Sequence, residues 1–233
     1  MSIINSIRSQ FAPIHPQGYP FVGSFALASI VLFWLWPPFG WLGTVATLWC
    51  AYFFRDPARV TPACEGIVVA PADGRISRIA NAPPPNELEL GARPLIRISI
   101  FMSVFDCHVN RSPVGGRIER VVYHPGAFIS ADLDKASEAN ERNALLIATA
   151  TGVRFVVVQI AGLVARRIVP FVHEGEAIDA GQRIGMIRFG SRVDVYLPDG
   201  ARPLVHEGQT AIAGETVLAE FRTAEPGRAF RAG

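Results

Sequence analysis

Two regimes of apolar patterning divide the chain. From Phe21 to Phe54 no charged residue occurs, and Trp34, Trp36, Trp41 and Trp49, the only tryptophans, all fall inside this stretch. Pro37-Pro38 interrupts it, leaving arms Phe21–Trp36 and Phe39–Phe54 of 16 residues each. A helix of that length rises about 24 Å against about 30 Å of bilayer hydrocarbon, so each arm is short for a complete span. Arg8 precedes the segment and Arg55 and Arg59 follow it, which puts both ends on the cytoplasmic side if basic flanks stay inside. A proline-broken hairpin dipping into one leaflet satisfies both constraints. The competing readings are a single span, a buried core helix and a signal peptide, although no small-residue cleavage site precedes Arg55.

Beyond Arg55–Arg59 the pattern changes to short β-branched runs punctuated by Gly, Pro and Asp: Gly66–Ala70, Leu95–Phe101, Arg117–Tyr123, Leu145–Ala148 and Arg154–Ile160. These predict strands. Gly185–Gly190 and Arg192–Leu197 read as two more, joined at a Gly-Ser dipeptide, and only Ser130–Asn143 reads as a helix, polar and exposed. His173-Glu-Gly-Glu-Ala-Ile-Asp-Ala-Gly returns as His206-Glu-Gly-Gln-Thr-Ala-Ile-Ala-Gly. Two copies are too few for a solenoid; they suggest twofold-related strand-turn-strand units. The expected fold is mainly β (α+β): a β-barrel core similar to lipoyl/biotinyl hammerheads, additional strands and an N-terminal hydrophobic helical hairpin. The domain division is 1–59 for the hairpin and 60–233 for the remainder.

Composition narrows the chemistry. The chain has 233 residues, 50% of them apolar, enough to bury a core. A net charge of +2 with scattered basic residues excludes a nucleic-acid stripe. Lys135 is the only lysine, in a polar stretch, so lysine Schiff-base chemistry has one weak candidate. Cys50, Cys64 and Cys107, and His15, His108, His124, His173 and His206, share no metal-ligand spacing, so no metal is expected.

The Gly190-Ser191 bond, between two strand-like runs, has the makings of a self-cleavage site. Glycine leaves room for a hydroxyl to approach its carbonyl. Attack by the Ser191 hydroxyl would replace the amide by an ester, and β-elimination with loss of ammonia would leave a pyruvoyl group on the new N-terminus. A serine hydroxyl needs a base for this, and the developing oxyanion needs donors. Asp73, in Ala70-Pro-Ala-Asp-Gly74, and His108, in Phe105-Asp-Cys-His-Val-Asn110, are candidates for an Asp-His pair that prepares Ser191.

Phe189-Gly-Ser-Arg-Val-Asp-Val-Tyr-Leu-Pro198, Ala70-Pro-Ala-Asp-Gly74, Phe101-Met-Ser-Val-Phe-Asp-Cys-His-Val-Asn-Arg-Ser-Pro113 and His124-Pro-Gly126 together resemble the short form of the phosphatidylserine decarboxylase proenzymes, over nearly the whole chain. The resemblance implies cleavage between Gly190 and Ser191 into a β chain, residues 1–190, and an α chain, residues 191–233, that stay together as a heterodimer. It implies a covalent pyruvoyl cofactor made from Ser191, and it places Asp73 on the self-processing aspartate and His108 on the first histidine of an Asp-x-His-x-x-His motif. The second histidine is replaced here by Arg111, and Leu-Gly-Ser-Thr by Phe-Gly-Ser-Arg. His108 or His124 is then left as the processing base, and Arg111 or Arg192 is available to hold a lipid phosphate or carboxylate.

What the resemblance implies for activity is decarboxylation of phosphatidylserine to phosphatidylethanolamine through a Schiff base with the pyruvoyl group, in phospholipid biosynthesis at the cytoplasmic face of the cell membrane, with membrane lipids as partners. The hydrophobic hairpin favours a lipid substrate over a free amino acid. The rivals are a pyruvoyl decarboxylase of another amine and a non-catalytic membrane adaptor with a lipoyl-like barrel.

Overall fold

The computed structural model describes residues 12–126, 140–162, 167–188 and 191–221. Helices α1 (Tyr19–Leu35) and α2 (Pro37–Phe53) form the N-terminal hairpin. Pro37 and Pro38, expected between the arms, instead occupy the first turn of α2, where a missing N–H leaves no bond unmade and the fixed φ suits the helix. The reversal is made by Trp36 alone, which is extended at φ −163° and ψ 118°. Each helix has 17 residues, about 25 Å of rise. The helices touch through small groups: Gly40 lies under the Phe33 ring, Gly43 against Ser29, and the Ser29 and Thr47 hydroxyls are 3.1 Å apart. Small residues serve this purpose where lipid, not water, is the alternative neighbour. Trp34 is 91% exposed, and Leu27, Trp41 and Leu42 are likewise turned outward, a surface suited to hydrocarbon. One helical stretch, Pro16–Leu35, is long and apolar enough to cross a membrane.

The chain divides into two compact units, Met1–Ala58 and Arg59–Gly233. In the second, fourteen strands follow one another: β1 (Ile67–Val69), β2 (Gly74–Ala82), β3 (Leu95–Met102), β4 (Val109–Arg111), β5 (Gly116–His124), β6 (Arg142–Ala148), β7 (Arg154–Ala161), β8 (Arg167–Pro170), β9 (Ala177–Ile178), β10 (Arg183–Arg188), β11 (Ser191–Tyr196), β12 (Arg202–Pro203), β13 (Thr210–Ala211) and β14 (Val217–Glu220). Eight of them make one curled antiparallel sheet in the order β13-β2-β3-β11-β7-β6-β5-β9, and two three-stranded sheets have the orders β1-β14-β12 and β4-β10-β8. The unit is therefore mostly β. Arg142 and Asn143, expected at the end of a helix, open strand β6; residues 130–139 of that expected helix lie outside the described residues.

The sheet order reads the same from both ends once a correspondence is drawn: β1 with β4, β2 with β5, β3 with β6, β11 with β7, β12 with β8, β13 with β9 and β14 with β10. Registers support it strand by strand. Ile76 faces Ile100 across β2 and β3 as Ile118 faces Ile147 across β5 and β6, and each pair is followed by a bulge at the same place. Gly74 and Gly116 both pass a neighbouring carbonyl so closely that an added Cβ would lie 2.1 Å from Phe101 O and 2.2 Å from Ala148 O. The two sets also clasp each other reciprocally, Val69 N donating to Pro113 O and Arg111 N to Pro71 O. One copy (β4–β10) is nested inside the other (β1–β3 with β11–β14), entering after β3 and leaving before β11.

The echoed His-Glu-Gly turns are equivalent parts of the two copies. Gly175 N donates to Ile118 O as Gly208 N donates to Ile76 O, and Glu174 accepts from Val121 N as Glu207 accepts from Ile79 N. Side chains alternate across the sheet. Val193, Val195, Ile98, Ile100, Leu145, Ile147, Phe155 and Val157 face the main core. The opposite face carries Ala144, Leu146, Val156, Val158, Ile160 and Tyr196, closed by Leu88.

Candidate active site

Ser191 opens β11, the strand that joins the two halves of the long sheet, and its cross-strand neighbours are Met102 of β3 and Ala161 of β7. Strand alternation aims it with Val193 and Val195 at the main core. It is fully buried, and its hydroxyl has no hydrogen-bond partner among the described residues. A buried hydroxyl in that state costs about 1–3 kcal/mol, so its retention calls for an explanation. Gly190, the other half of the dipeptide, lies outside the described residues, as does Lys135. The two runs flanking the dipeptide are not a hairpin: β10 belongs to a three-stranded sheet and β11 to the long one.

His108 is carried by the turn between β3 and β4, closed by Asp106 N to Ser103 O at 2.9 Å and Ser103 N to Asp106 Oδ2 at 2.7 Å. It is fully buried, and Nδ1 is 2.9 Å from Asp106 O. A carbonyl only accepts, so Nδ1 carries the proton and Nε2 keeps its lone pair, the form a base requires. The His108 carbonyl accepts from Ile187 N at 3.2 Å, which ties the histidine to the end of β10, just ahead of the dipeptide in sequence.

Asp73 precedes β2 at the same end of the sheet as Ser191. The β2-β3-β11 order sets it two strand spacings, about 10 Å, from that strand. Its carboxylate accepts from Arg59 Nη2 at 2.6 Å and from Ala213 N at 2.8 Å.

The other candidates stand elsewhere. Arg111 is buried and donates to Gly181 O at 2.8 Å, inside the first echoed turn. Arg192 points to the face opposite Ser191, where Nε and Nη2 grip Asp194 at 2.9 and 3.0 Å. His124 ends β5, exposed, paired with Arg142 of β6, three strands from β11 and on the same face as Arg192. A cleft of about 340 Å³ lined by Arg78, Arg97, Arg142 and Tyr196 also opens on that face, so it does not lead directly to Ser191.

Two features escaped the sequence reading. Arg188 and Arg167 are directly opposite each other on β10 and β8, next to the dipeptide, and like charges so placed repel. Burial first and the Arg167 charge second hold the Arg188 guanidinium below its ordinary pKa. Proximity of Arg188 to Gly190-Ser191 in sequence was the available signal. The second feature is a row of buried carboxamides, Asn143, Gln159 and Asn110. Its signal was a glutamine inside Val156-Val-Val-Gln-Ile160, a run otherwise apolar.

Comparison with known proteins identifies the family. The family model described as phosphatidylserine decarboxylase matches residues 46–219. A protein named phosphatidylserine decarboxylase proenzyme, from Nitrobacter winogradskyi, is 68% identical over 226 residues, 97% of this chain and 91% of that protein. Both matches extend across β11 and the strands around it, and on that ground the chain belongs to the phosphatidylserine decarboxylase family.

Proposed function

We propose that this chain is a self-processing phosphatidylserine decarboxylase, producing phosphatidylethanolamine and carbon dioxide, with Ser191 as the residue from which the reactive group is made. The observation that carries the reading is the Ser191 hydroxyl: buried, without a partner among the described residues, at the head of the central strand, in a chain of this family. The residues fit a pyruvoyl group, because a short uncharged acyl terminus suits an interior position flanked by Met102 and Ala161. When formed, the group supplies an electron sink for loss of the substrate carboxylate.

His108 is the proposed base. Its burial, the Nδ1 proton directed at Asp106 O and the tie from its carbonyl to Ile187 favour it over His124, which is exposed on the far face. It takes the Ser191 proton in processing and later returns a proton to the substrate α-carbon. Asp73 is assigned to processing as a positioning residue that secures Arg59 and the Ala213 turn at this end of the sheet. Arg188 and Arg167 receive the phosphate or carboxylate of the lipid headgroup, which would relieve their mutual repulsion. That role suits them by position, beside the dipeptide in sequence, whereas Arg192 lies on the face opposite Ser191.

Residues 1–59 are proposed as a hairpin anchor at the cytoplasmic face of the cell membrane, concentrating the lipid substrate, and residues 60–233 as the catalytic domain. The β and α chains, 1–190 and 191–233, are proposed to remain a heterodimer. Each three-stranded sheet with its echoed turn supports a hammerhead-like description of the core.

Intact-mass measurement of the purified protein tests the reading. It is expected to give two pieces ending at residue 190 and beginning at residue 191, the smaller lacking a free amine and reacting with a carbonyl reagent. A single uncut chain that still decarboxylates phosphatidylserine in vesicles would overturn it.

A further inference from the structure

Three buried carboxamides form a directed row. Asn143 Nδ2 donates to Gln159 Oε1 at 2.9 Å, Gln159 Nε2 donates to Asn110 Oδ1 at 2.8 Å, and Asn110 Nδ2 ends on Met102 Sδ at 3.5 Å. All three side chains are fully buried. Each link fixes the orientation of the next amide, so the donor end of the row is Asn110. A thioether is a weak acceptor, and Met102 is the cross-strand neighbour of Ser191, whose own hydroxyl has no partner among the described residues. A poorly spent donor and an unspent oxygen thus stand side by side on the same face of the sheet.

The fold does not require this polarity. By register the outer copy has Val68 where the nested copy has Asn110, Leu197 for Gln159 and Ile96 for Asn143, while the nested copy has Val153 where the outer copy has Ser191. The four equivalent positions, Val68, Leu197, Ile96 and Val153, are all apolar, so the row from the nested copy and the serine from the outer copy share one of the two related ends and leave the other without polar groups at these places. A purely structural network would have no reason to coincide with Ser191.

Resting on the self-processing reading above, we propose that Asn110 is a catalytic residue that donates a hydrogen bond to Ser191 Oγ, with Gln159 and Asn143 as the residues that position it. In the first step the Oγ proton passes through the base to the amide nitrogen of residue 191. The Oγ–C bond to residue 190 forms, and the C–N bond breaks. In the second, the base removes the α-proton of residue 191, its electron pair becomes the Cα–Cβ double bond, and Oγ departs as part of the carboxylate of residue 190. Negative charge gathers on Oγ as its proton leaves and again as the Cβ–Oγ bond breaks, so one donor serves both steps. Asn110 itself gains and loses nothing.

The test is the rate at which freshly synthesised full-length chain splits, followed by gel in a cell-free reaction with detergent, with and without hydroxylamine to trap the ester. Asn110→Val and Gln159→Leu copy the residues of the outer copy. Asn110→Val is expected to slow splitting on the order of 100-fold, the usual scale for one oxyanion donor, and to slow hydroxylamine-dependent cleavage as well. A residue important only for packing would leave the trapped rate unchanged. Gln159→Leu is expected to slow splitting by about 10-fold, with thermal unfolding unimpaired, and it decides the matter should Asn110→Val fail to fold. Splitting of the soluble variant within about threefold of the parent overturns the proposal. Failure of the parent chain to split overturns the processing reading instead.

Discussion

The two copies of the β unit share strand order, bulges, closely packed glycines and capping turns, yet differ in what they hold at equivalent places. Where the site has Asp73, His108 and Ser191, the corresponding positions are Gly115, Gly66 and Val153, by the registers and reciprocal bonds described above. Around Gly66 and Gly115 lies an open groove of about 330 Å³ lined largely by apolar groups, including Pro62, Ile67, Val114 and Phe221. The same backbone therefore makes a polar site at one end and a largely apolar groove at the other. Features common to both copies are what the fold needs; features found once are what the chemistry needs.

The sharpest way to break that distinction is Ser191→Ala. It is expected to abolish splitting and activity together while raising stability by about 1 kcal/mol, since it deletes a buried hydroxyl that has no hydrogen-bond partner among the described residues. That corresponds to about 2–4 °C in Tm for a chain of this size. A variant that still splits, seen on a denaturing gel, would remove the serine from the chemistry.

Glycine substitutions probe what is shared. Gly74→Val and Gly116→Val would both drive a Cβ into a carbonyl oxygen, and each is expected to cost several kcal/mol, at least the roughly 1–3 kcal/mol of an overpacked core. Comparable losses in denaturant unfolding are the signature of a shared structural demand. If only one of the pair proved costly, the equivalence of the copies would be in question.

On the face away from Ser191, Asp194→Asn removes the charge of the buried carboxylate that Arg192 grips and is expected to cost about 3–5 kcal/mol. The effect should appear in unfolding of the uncut Ser191→Ala background and leave headgroup affinity unchanged. By contrast, Arg188→Ala should raise KM for phosphatidylserine vesicles by about 10-fold, the scale of one charged hydrogen bond, with a smaller change in kcat.

The mildest test uses pH. Burial acts to raise the Glu87 pKa, but its hydrogen bond and charge pairing with Arg142 outweigh it, and the net shift is downward. A carboxyl with a depressed folded pKa contributes stability above its unfolded value, near about 4.3, and loses it as pH falls through the folded value. Arg142→Leu, copying Leu95 of the outer copy, should therefore lower stability at neutral pH and flatten its fall on the acid side, the two profiles converging at low pH. An unchanged acid limb would show that the pair contributes nothing.

How much of this was legible in the sequence follows the range of the forces involved. Strands such as Leu95–Met102 and Arg154–Ala161 announced themselves through β-branched runs, and the echoed turns through their own repeats, because those signals are local. The nesting of one copy within the other was not legible: it rests on hydrogen-bond register between segments far apart in the chain. Ser191 was found by its dipeptide and by the resemblance of its surroundings. Gln159 was missed because it is a single polar residue in an apolar run and Asn110 because it is one of several polar residues in Asp106–Pro113, and only packing of β4 and β10 over the long sheet brings them together. The helix boundaries at Pro37-Pro38 missed by a turn because proline both ends and begins helices.

The depth of Ser191 has one more consequence. A ribosome-made N-terminus carries an ammonium ion, and placing such an ion in a fully enclosed position costs several kcal/mol even after relaxation. A terminus can be installed at this depth only by cutting after the strands have closed, and it is tolerated there best if it emerges neutral. Conversion of the new end into a keto acid amide meets both conditions. A terminus created at residue 191 would stay wedged between β3 and β7 by six register positions on either side, so the proposed break would leave the architecture standing.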